Sequence, residues 1–455
     1  MTKQRIRDPI HGLVTFESDA DEVVWALLNT REFQRLRRIK QLGFSEFVYP
    51  GATHSRFAHS VGVFHNAKIM LRLIEKQIPE GEWSQRKSLA ALCAALLHDV
   101  GHGPFSHTFE GVLKALKRKK SHESWSVETV EEDTEINRIL TKMVDERFPK
   151  EVASVIKEKE PSDIYSSIVS SQFDADRLDY LVRDRYMTGV DVGHFDFDWL
   201  LDCINVSEIY LDAQDDDDVV SAPGLVLNHK GFKAAEGYLQ ARYQLYSTVY
   251  LHKTTRAAEK MLGALLLHTA NIINERGISY FAELGYDPVL EFLKDENLEL
   301  FSYLNLDDYS VWALIGKLAK FSGDEWLSNM ATRILRRDLY KCIDLGALLG
   351  DNSGDLKNKL KLTLKGEAGD MGLTWRFTLI EDDPSLTGYT WYSWDEDSAL
   401  KKVLIQDRER SENIDIGNRS DLIKALKNER FYRIYVPSEE AKKRVWQRCR
   451  EIANV

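Results

Sequence analysis

Apolar residues recur at helical spacing along most of the first 350 positions of this 455-residue chain. Val24, Leu27 and Leu28 follow Asp21 in one such pattern. Phe33, Leu36, Ile39 and Leu42 form the next, opposite a basic face of Arg35, Arg37, Arg38 and Lys40. The spacing predicts two amphipathic helices, the second reaching Leu42. Further helices are expected from His59 to about Gln77, over 86–99 and over 104–117. Others follow in several segments between Ser121 and Met187, over 195–204, over 231–276, and on to about Leu349. Before the first helix, residues 6–16 combine a Pro-Gly turn with apolar alternation, which predicts a short strand; residues 43–53, around Pro50-Gly51, read as a loop.

Alternation displaces the helical period in two places. Residues 208–211 and 225–227 flank the acidic run Asp215–Asp218, predicting a hairpin with an acidic turn. Beyond the turn cluster Gly350-Asp351-Asn352-Ser353-Gly354, alternating segments occur at 359–364, 375–380, 403–405 and 432–436. Helical patterns appear there at 420–427 and 438–452. The expected architecture is mainly α: a helical core with small β-hairpins over 1–349, then a small α+β domain over 350–455.

The run 89–97 (LAALCAALL) carries no charge, so it predicts a buried helix. It leads into His98-Asp99-Val100-Gly101-His102-Gly103-Pro104-Phe105-Ser106-His107, where the glycines and proline should end the helix and turn the chain. His98 and His102 would share a helical face if the helix lasted that far. Imidazoles with a carboxylate form a ligand set for a divalent metal. Seven of the twelve histidines (54, 59, 65, 98, 102, 107 and 122) lie between His54 and His122, a crowding that scattered structural histidines would not produce. A second constellation, Asp174 to Asp184, puts Asp176, Tyr180 and Asp184 on one face as a helix, with Asp179 and Arg183 able to pair beside it. Alone, it reads more readily as a salt-bridged surface helix. Lys117-Arg118-Lys119-Lys120 reads as a solvated loop.

Bulk composition narrows the setting. The net charge of -11 argues against a broad nucleic-acid surface, while leaving room for a small basic pocket. Four widely spaced cysteines without a C-x-x-C fit a reducing compartment. The longest apolar run is too short to span a bilayer, so a soluble cytoplasmic protein is expected.

His59, His98-Asp99 and Asp176 stand in the order of the split H…HD…D signature, and the chain resembles the HD-domain phosphohydrolases. Asp8-Pro9-Ile10-His11-Gly12, Phe33-Gln34-Arg35-Leu36, Ile39-Lys40-Gln41-Leu42-Gly43, Pro50-Gly51-Ala52 and His54-Ser55-Arg56-Phe57-Ala58-His59-Ser60 carry the likeness further. So do His122-Glu123, Asp176-Arg177-Leu178-Asp179-Tyr180 and the segment from Arg242 through Lys253. Over about residues 5–260 this is similar to the dNTP triphosphohydrolase branch, without the SAM domain of vertebrate members.

The resemblance implies an HD-domain helical core and hydrolysis of a dNTP to deoxynucleoside and triphosphate. It implies one divalent metal (Mn, Fe, Mg or Zn) on His59, His98, Asp99 and Asp176, with room for a second Mg travelling with the triphosphate. His107 and His122 are the implied general-acid candidates, oriented by Glu110 or Glu123, and His102 the candidate for phosphate contact or water positioning. Glu110 stands where the family has aspartate. Arg56, Arg177, Arg242 and Lys253 match phosphate contacts. Gln41, Leu42, Tyr180 and Tyr250 match residues around the sugar, and Asp184 its 3′-hydroxyl contact. A regulatory nucleotide site between subunits would use Asn29, Gln34 and Arg37. Asn29 replaces a guanine-reading aspartate and Arg7 an asparagine, so control by a different base, or none, is implied. Homo-oligomers, dimers or tetramers, are also implied. Two other readings remain at this stage: an HD phosphohydrolase acting on another nucleotide phosphoester, and a nucleotide-sensing or nucleic-acid-binding scaffold.

Overall fold

The computed structural model describes residues 2–158, 161–211, 220–346, 358, 362, 379–386, 389, 402–407 and 413–453. The protein is mainly α-helical, with small sheets at its edges. An antiparallel hairpin of β1 (Gln4–Asp8) and β2 (Gly12–Phe16) opens the chain. Helix α1 (Asp19–Leu28) follows, begun by a capping box in which Ser18 and Asp21 satisfy each other's backbone N–H groups. Helix α2 (Arg31–Arg35) and a 3-10 turn (Leu36–Arg38) replace the single helix expected as far as Leu42. Tertiary partners end it early. Lys40 N donates to Asp308 Oδ2 at 2.9 Å, Gln41 N to the His54 carbonyl at 3.0 Å, and Arg56 N to the Ile39 carbonyl at 2.9 Å. Residues 43–47, expected as loop, form a 3-10 turn.

Helix α3 (Arg56–Glu75) starts three residues before His59 because Ser55 caps it. Helix α4 (Gln85–Leu97) is capped by Ser84 and is the apolar run of the sequence, with Ala90 through Leu97 buried. Then come α5 (His107–Ala115), α6 (His122–Glu131), α7 (Glu135–Met143), α8 (Phe148–Lys157), α9 (Ser167–Ser170), α10 (Ala175–Thr188) and α11 (Phe197–Asp202). Helix α5 begins at His107 rather than 104. Strands β3 (Ile204–Leu211) and β4 (Val220–Leu227) pair antiparallel as expected; the acidic turn Asp215–Asp218 lies outside the described residues.

The helix expected over 231–276 is broken. Helix α12 (Phe232–Leu245) widens into a π-turn (Tyr246–Tyr250) before α13 (Lys253–Arg276). Such turns recur at functional sites because they re-aim side chains. Helices α14 (Pro288–Lys294), α15 (Leu300–Leu304), α16 (Asp308–Leu318) and α17 (Glu325–Leu335) pack on α13. Helix does not continue to Leu349: β5 (Lys341–Asp344) follows instead, held antiparallel to β11 (Arg433–Val436), with β6 (Ile380–Asp382) on that strand's other side. Strands β7 (Ser385–Leu386) and β10 (Glu429–Arg430) form a small ladder, and β8 (Leu404–Gln406) pairs parallel with β4 and antiparallel with β9 (Asn413–Asp415). Sheets thus cross the expected division at residue 350 twice. Of the alternating segment 359–364 only Leu362 is described, and it is helical. A C-terminal helix, Glu439–Ala453, covers the β5–β11–β6 sheet through Val445 and Cys449.

Two apolar cores meet at the histidine-rich stretch. One is built around α3, α4, α8 and α10, the other around α13 to α17 with Phe105, Phe109 and Trp125. The loop 98–106 spans their junction, so its side chains are fixed from both sides.

Candidate metal centre and adjoining pocket

Helix α4 stops at Leu97, so His98 and His102 do not share a helical face. Gly101 makes the turn possible. A Cβ there would lie 2.2 Å from Ser126 N and 2.3 Å from the His122 carbonyl oxygen, so only glycine admits α6 this close. Its N–H donates to Ser126 Oγ at 2.9 Å. Phe105 and Ser106 have φ of 51° and 46°, a left-handed backbone that costs non-glycine residues energy and clusters at working sites.

His59 from α3, His98 and Asp99 from the end of α4, and Asp176 from the first turn of α10 converge. His59 Nε2 lies 2.9 Å from Asp176 Oδ1 and 3.7 Å from Asp99 Oδ2. His98 Nε2 lies 3.6 Å from Asp176 Oδ1 and 3.3 Å from Asp99 Oδ1. His59, His98 and Asp176 each offer a ligand atom within one 4.8 Å cluster. The other ring nitrogens are committed: His98 Nδ1 sits 2.9 Å from the Ala95 carbonyl oxygen, and His59 Nδ1 2.8 Å from Asp179 Oδ2. With Nδ1 as the donor in each ring, Nε2 presents a lone pair, and both Nε2 atoms are buried without an aligned hydrogen-bond partner. Two such nitrogens facing two carboxylates fit a divalent cation. Burial pulls His59 down, but the carboxylates of Asp176 and Asp179 beside its two ring nitrogens outweigh that and lift it to about 10.

A pocket of about 310 Å³ adjoins this cluster. Of the residues expected at the substrate, Gln41, Leu42, Arg56, His107, Tyr180, Asp184 and Tyr250 line it. Asp184 accepts from His54 Nε2 and from the Tyr250 hydroxyl, both at 2.8 Å, which fixes its orientation. Arg56 joins pocket and cluster: its Nη1 reaches Asp99 Oδ2 at 2.5 Å and its Nε donates to Ser106 Oγ at 2.9 Å. Arg177, Arg242 and Lys253 are not among the lining residues. Arg177 pairs with Asp174, the N-cap of α10, and donates to the Ser171 carbonyl at 2.8 Å; Arg242 donates to Gln172 Oε1 at 2.8 Å; Lys253 is exposed at the start of α13. The π-turn supplies Tyr246 as well as Tyr250 to the wall.

The remaining histidines gather beside Asp99. The rings of His102 and His122 stack with centroids 4.0 Å apart, and His102 Nε2 lies 3.2 Å from Asp99 Oδ1. Burial, then the charges of Arg56 and His122, push His102 well below its ordinary range. Glu110 Oε2 sits 3.3 Å from His122 Nδ1 and 3.7 Å from His107 Nδ1, and these two histidines lower its carboxyl sharply. Glu123 lies 3.4 Å from His122 Nε2.

The HD domain profile matches residues 56–182, and that of the HD associated region matches residues 218–280. The uncharacterized protein YwfO of Bacillus subtilis is 38% identical over 339 residues, covering 74% of this chain and 71% of YwfO. The chain belongs to the HD-domain phosphohydrolase family. Deoxynucleoside triphosphate triphosphohydrolases are among its relatives. SAMHD1 of Bos taurus is 34% identical over 236 residues, which span 46% of this chain but only 39% of SAMHD1. The crystal structure of a phosphohydrolase from Bacteroides thetaiotaomicron superposes with a TM-score of 0.74 at 26% identity, covering 95% of this chain and 99% of that one.

Several features of this HD-domain site had no sequence signature. Asp179 could be read as the partner of Arg183, but not as the partner of His59. Tyr246 from the π-turn and Thr255, Arg256 and Glu259 from the start of α13 also line the pocket. The residues expected to bind a regulatory nucleotide sit at the end of α1, on α2 and in the 3-10 turn after it. Asn29 caps α1 and donates to the Trp25 carbonyl at 2.7 Å; Gln34 accepts from Arg37 Nε at 2.8 Å; the Arg37 guanidinium stands 3.5 Å over the Phe57 ring. Among the described residues, no helix is long and apolar enough to cross a membrane.

Proposed function

We propose that this protein is a metal-dependent dNTP triphosphohydrolase, releasing deoxynucleoside and intact triphosphate. The observation that carries the reading is that Arg56, hydrogen-bonded to Asp99 beside His59, His98 and Asp176, also lines a pocket walled by Tyr180, Asp184 and Tyr250. The likeness to SAMHD1 adds support. Bound by those four residues, a divalent ion (Mn, Fe, Mg or Zn) would supply Lewis-acid polarisation of a phosphate oxygen and acidify water.

The chain's own groups divide the remaining work. Arg56 offers a guanidinium to the phosphate nearest the sugar, and Arg177, Arg242 and Lys253 offer cations to the outer phosphates, with a second Mg accompanying the triphosphate. His122 or His107, oriented by Glu110, protonates the departing 5′ oxygen, a task suited to imidazole near neutral pH. His102, kept neutral, positions water or phosphate. Gln41, Leu42 and the tyrosines pack the sugar, so a 2′-hydroxyl has no room, and Asp184 takes the 3′-hydroxyl. The reading includes a cytoplasmic homo-oligomer with a nucleotide bound at Asn29, Gln34 and Arg37 as regulator.

Chromatography of each dNTP after incubation with the protein and Mn²⁺ tests it. Deoxynucleoside and triphosphate in equal amounts, abolished by chelation, are expected. Stepwise loss of single phosphates, or no turnover by metal-loaded protein, would overturn it.

A further inference from the structure

The most heavily hydrogen-bonded carboxylate beside the cluster belongs to no expected ligand. Asp179 is fully buried, and its two oxygens meet four donors. His11 Nε2 lies 2.6 Å from Oδ1, His59 Nδ1 2.8 Å from Oδ2, and Arg183 donates through Nε at 2.8 Å and Nη2 at 2.9 Å. Room for this arrangement comes from Gly62 on α3, where a Cβ would fall 1.8 Å from Asp179 Oδ1.

Two of the connections lead out to the N-terminal hairpin. His11 is the last residue of the β1–β2 turn. That turn is shaped by Asp8, whose Oδ1 accepts the backbone N–H groups of Ile10 at 2.9 Å and His11 at 3.0 Å. Arg183 closes the circuit, reaching Asp8 Oδ2 through Nη1 at 3.0 Å. The hairpin turn, α10 and the His59 ring therefore share one buried hydrogen-bond network, although residues 8–11 lie far from both helices in sequence.

We propose that the β1–β2 turn is a working part of the metal centre: His11, acting through Asp179, positions His59 and so sets the affinity for the ion. The proposal rests on His59 being a ligand, as in the function proposed above. A carboxylate on the outer nitrogen of a ligating histidine fixes its tautomer and raises its basicity, and losing such support weakens metal binding about 10- to 100-fold. Here that carboxylate is itself held by the turn. His11 is a positioning residue; it touches neither the ion nor a substrate. Because coupling is reciprocal, an ion on His59 must in turn steady the hairpin.

Two measurements test this without any turnover. In the first, apo protein is titrated with Co²⁺ and Mn²⁺ against a competing chelator. His11→Ala should weaken both ions about 10-fold or more and change the Co²⁺ absorption spectrum, while His11→Gln, whose amide still donates toward Asp179, should restore most of the affinity. Affinity and spectrum unchanged in His11→Ala would overturn the proposal, as would equal weakening in both variants, since that would show general loosening. The second uses the unaltered protein and so survives a variant that fails to fold. Hydrogen exchange at residues 10–14 should slow when Mn²⁺ is added. Exchange there that ignores the ion, while the ion demonstrably binds, would refute the coupling. Protein that binds metal and shows the coupling but hydrolyses no dNTP would sink the proposed function alone.

Discussion

Arg56 and Asp99 meet at 2.5 Å with both side chains nearly excluded from solvent, so the cluster carries its own counter-charge before any ion arrives. Removing one partner of such a pair leaves a buried charge without compensation. Arg56→Ala should therefore destabilise metal-free protein by about 3 kcal/mol. A bound cation would take over part of the compensation, so the loss should shrink with metal present. Urea unfolding of both proteins with and without Mn²⁺ measures this; an equal loss in the two states would show that Asp99 does not face the ion.

Tyr250 stands edge-on to Tyr180, with ring centroids 6.2 Å apart, and its hydroxyl anchors Asp184. If these rings exclude the 2′-hydroxyl, Tyr250→Ala should lower the ratio of kcat/KM for a dNTP over the matching ribonucleotide at least 10-fold, about 1.4 kcal/mol of discrimination. A ratio left unchanged while both rates fall would assign Tyr250 to packing.

His122 contacts Glu110 and, with His102, gathers beside the expected ligand Asp99, while His59, His98 and Asp176 form a group without it. His122→Asn should cut kcat by about 10²- to 10⁴-fold with metal content unaltered. Metal analysis alongside single-turnover rates checks the pairing, and loss of the ion in this variant would contradict the assignment.

The pH dependence of stability has an identifiable contributor outside the cluster. The His65 ring lies tilted beside that of His11, with centroids 4.9 Å apart; burial, then the charges of His11 and Lys68, push it from 6.5 down to about 4. The unfolded chain thus takes up the proton first. Stability present above about pH 6.5 is lost as pH falls toward 4. Allowing for partial screening by solvent, about 1 kcal/mol should go between pH 7 and 5. His65→Gln should show a correspondingly shallower fall in chemical denaturation over that range.

The helices were largely legible because their apolar stripes face cores at regular spacing. Their ends near the site were not. Asp308 explains two of the misses: its carboxylate takes the N–H of Lys40 at 2.9 Å and that of Phe105 at 2.8 Å, pinning the segments in non-helical shapes from 268 and 203 residues away. No local pattern around Phe33–Leu42 or 104–106 encodes that. Likewise, motif order marked His59, His98, Asp99 and Asp176, and helical spacing put Asp176, Tyr180 and Asp184 on one face. The hydrogen bonds of Asp179 to His11 and of Asp184 to His54 depend on how β1, α3 and α10 are stacked, which periodicity does not specify.

The parallel pairing of β4 with β8, Val226 against Leu404 and Leu227 against Ile405, constrains how the protein can be made. Synthesis runs from the N-terminus, so the β3–β4 hairpin emerges with one edge bare and waits for a strand translated far later. During that interval the nascent chain carries an open template for another molecule's strand. A polypeptide released before Leu404 keeps that edge permanently, so premature termination yields a species inclined to associate rather than a smaller working enzyme.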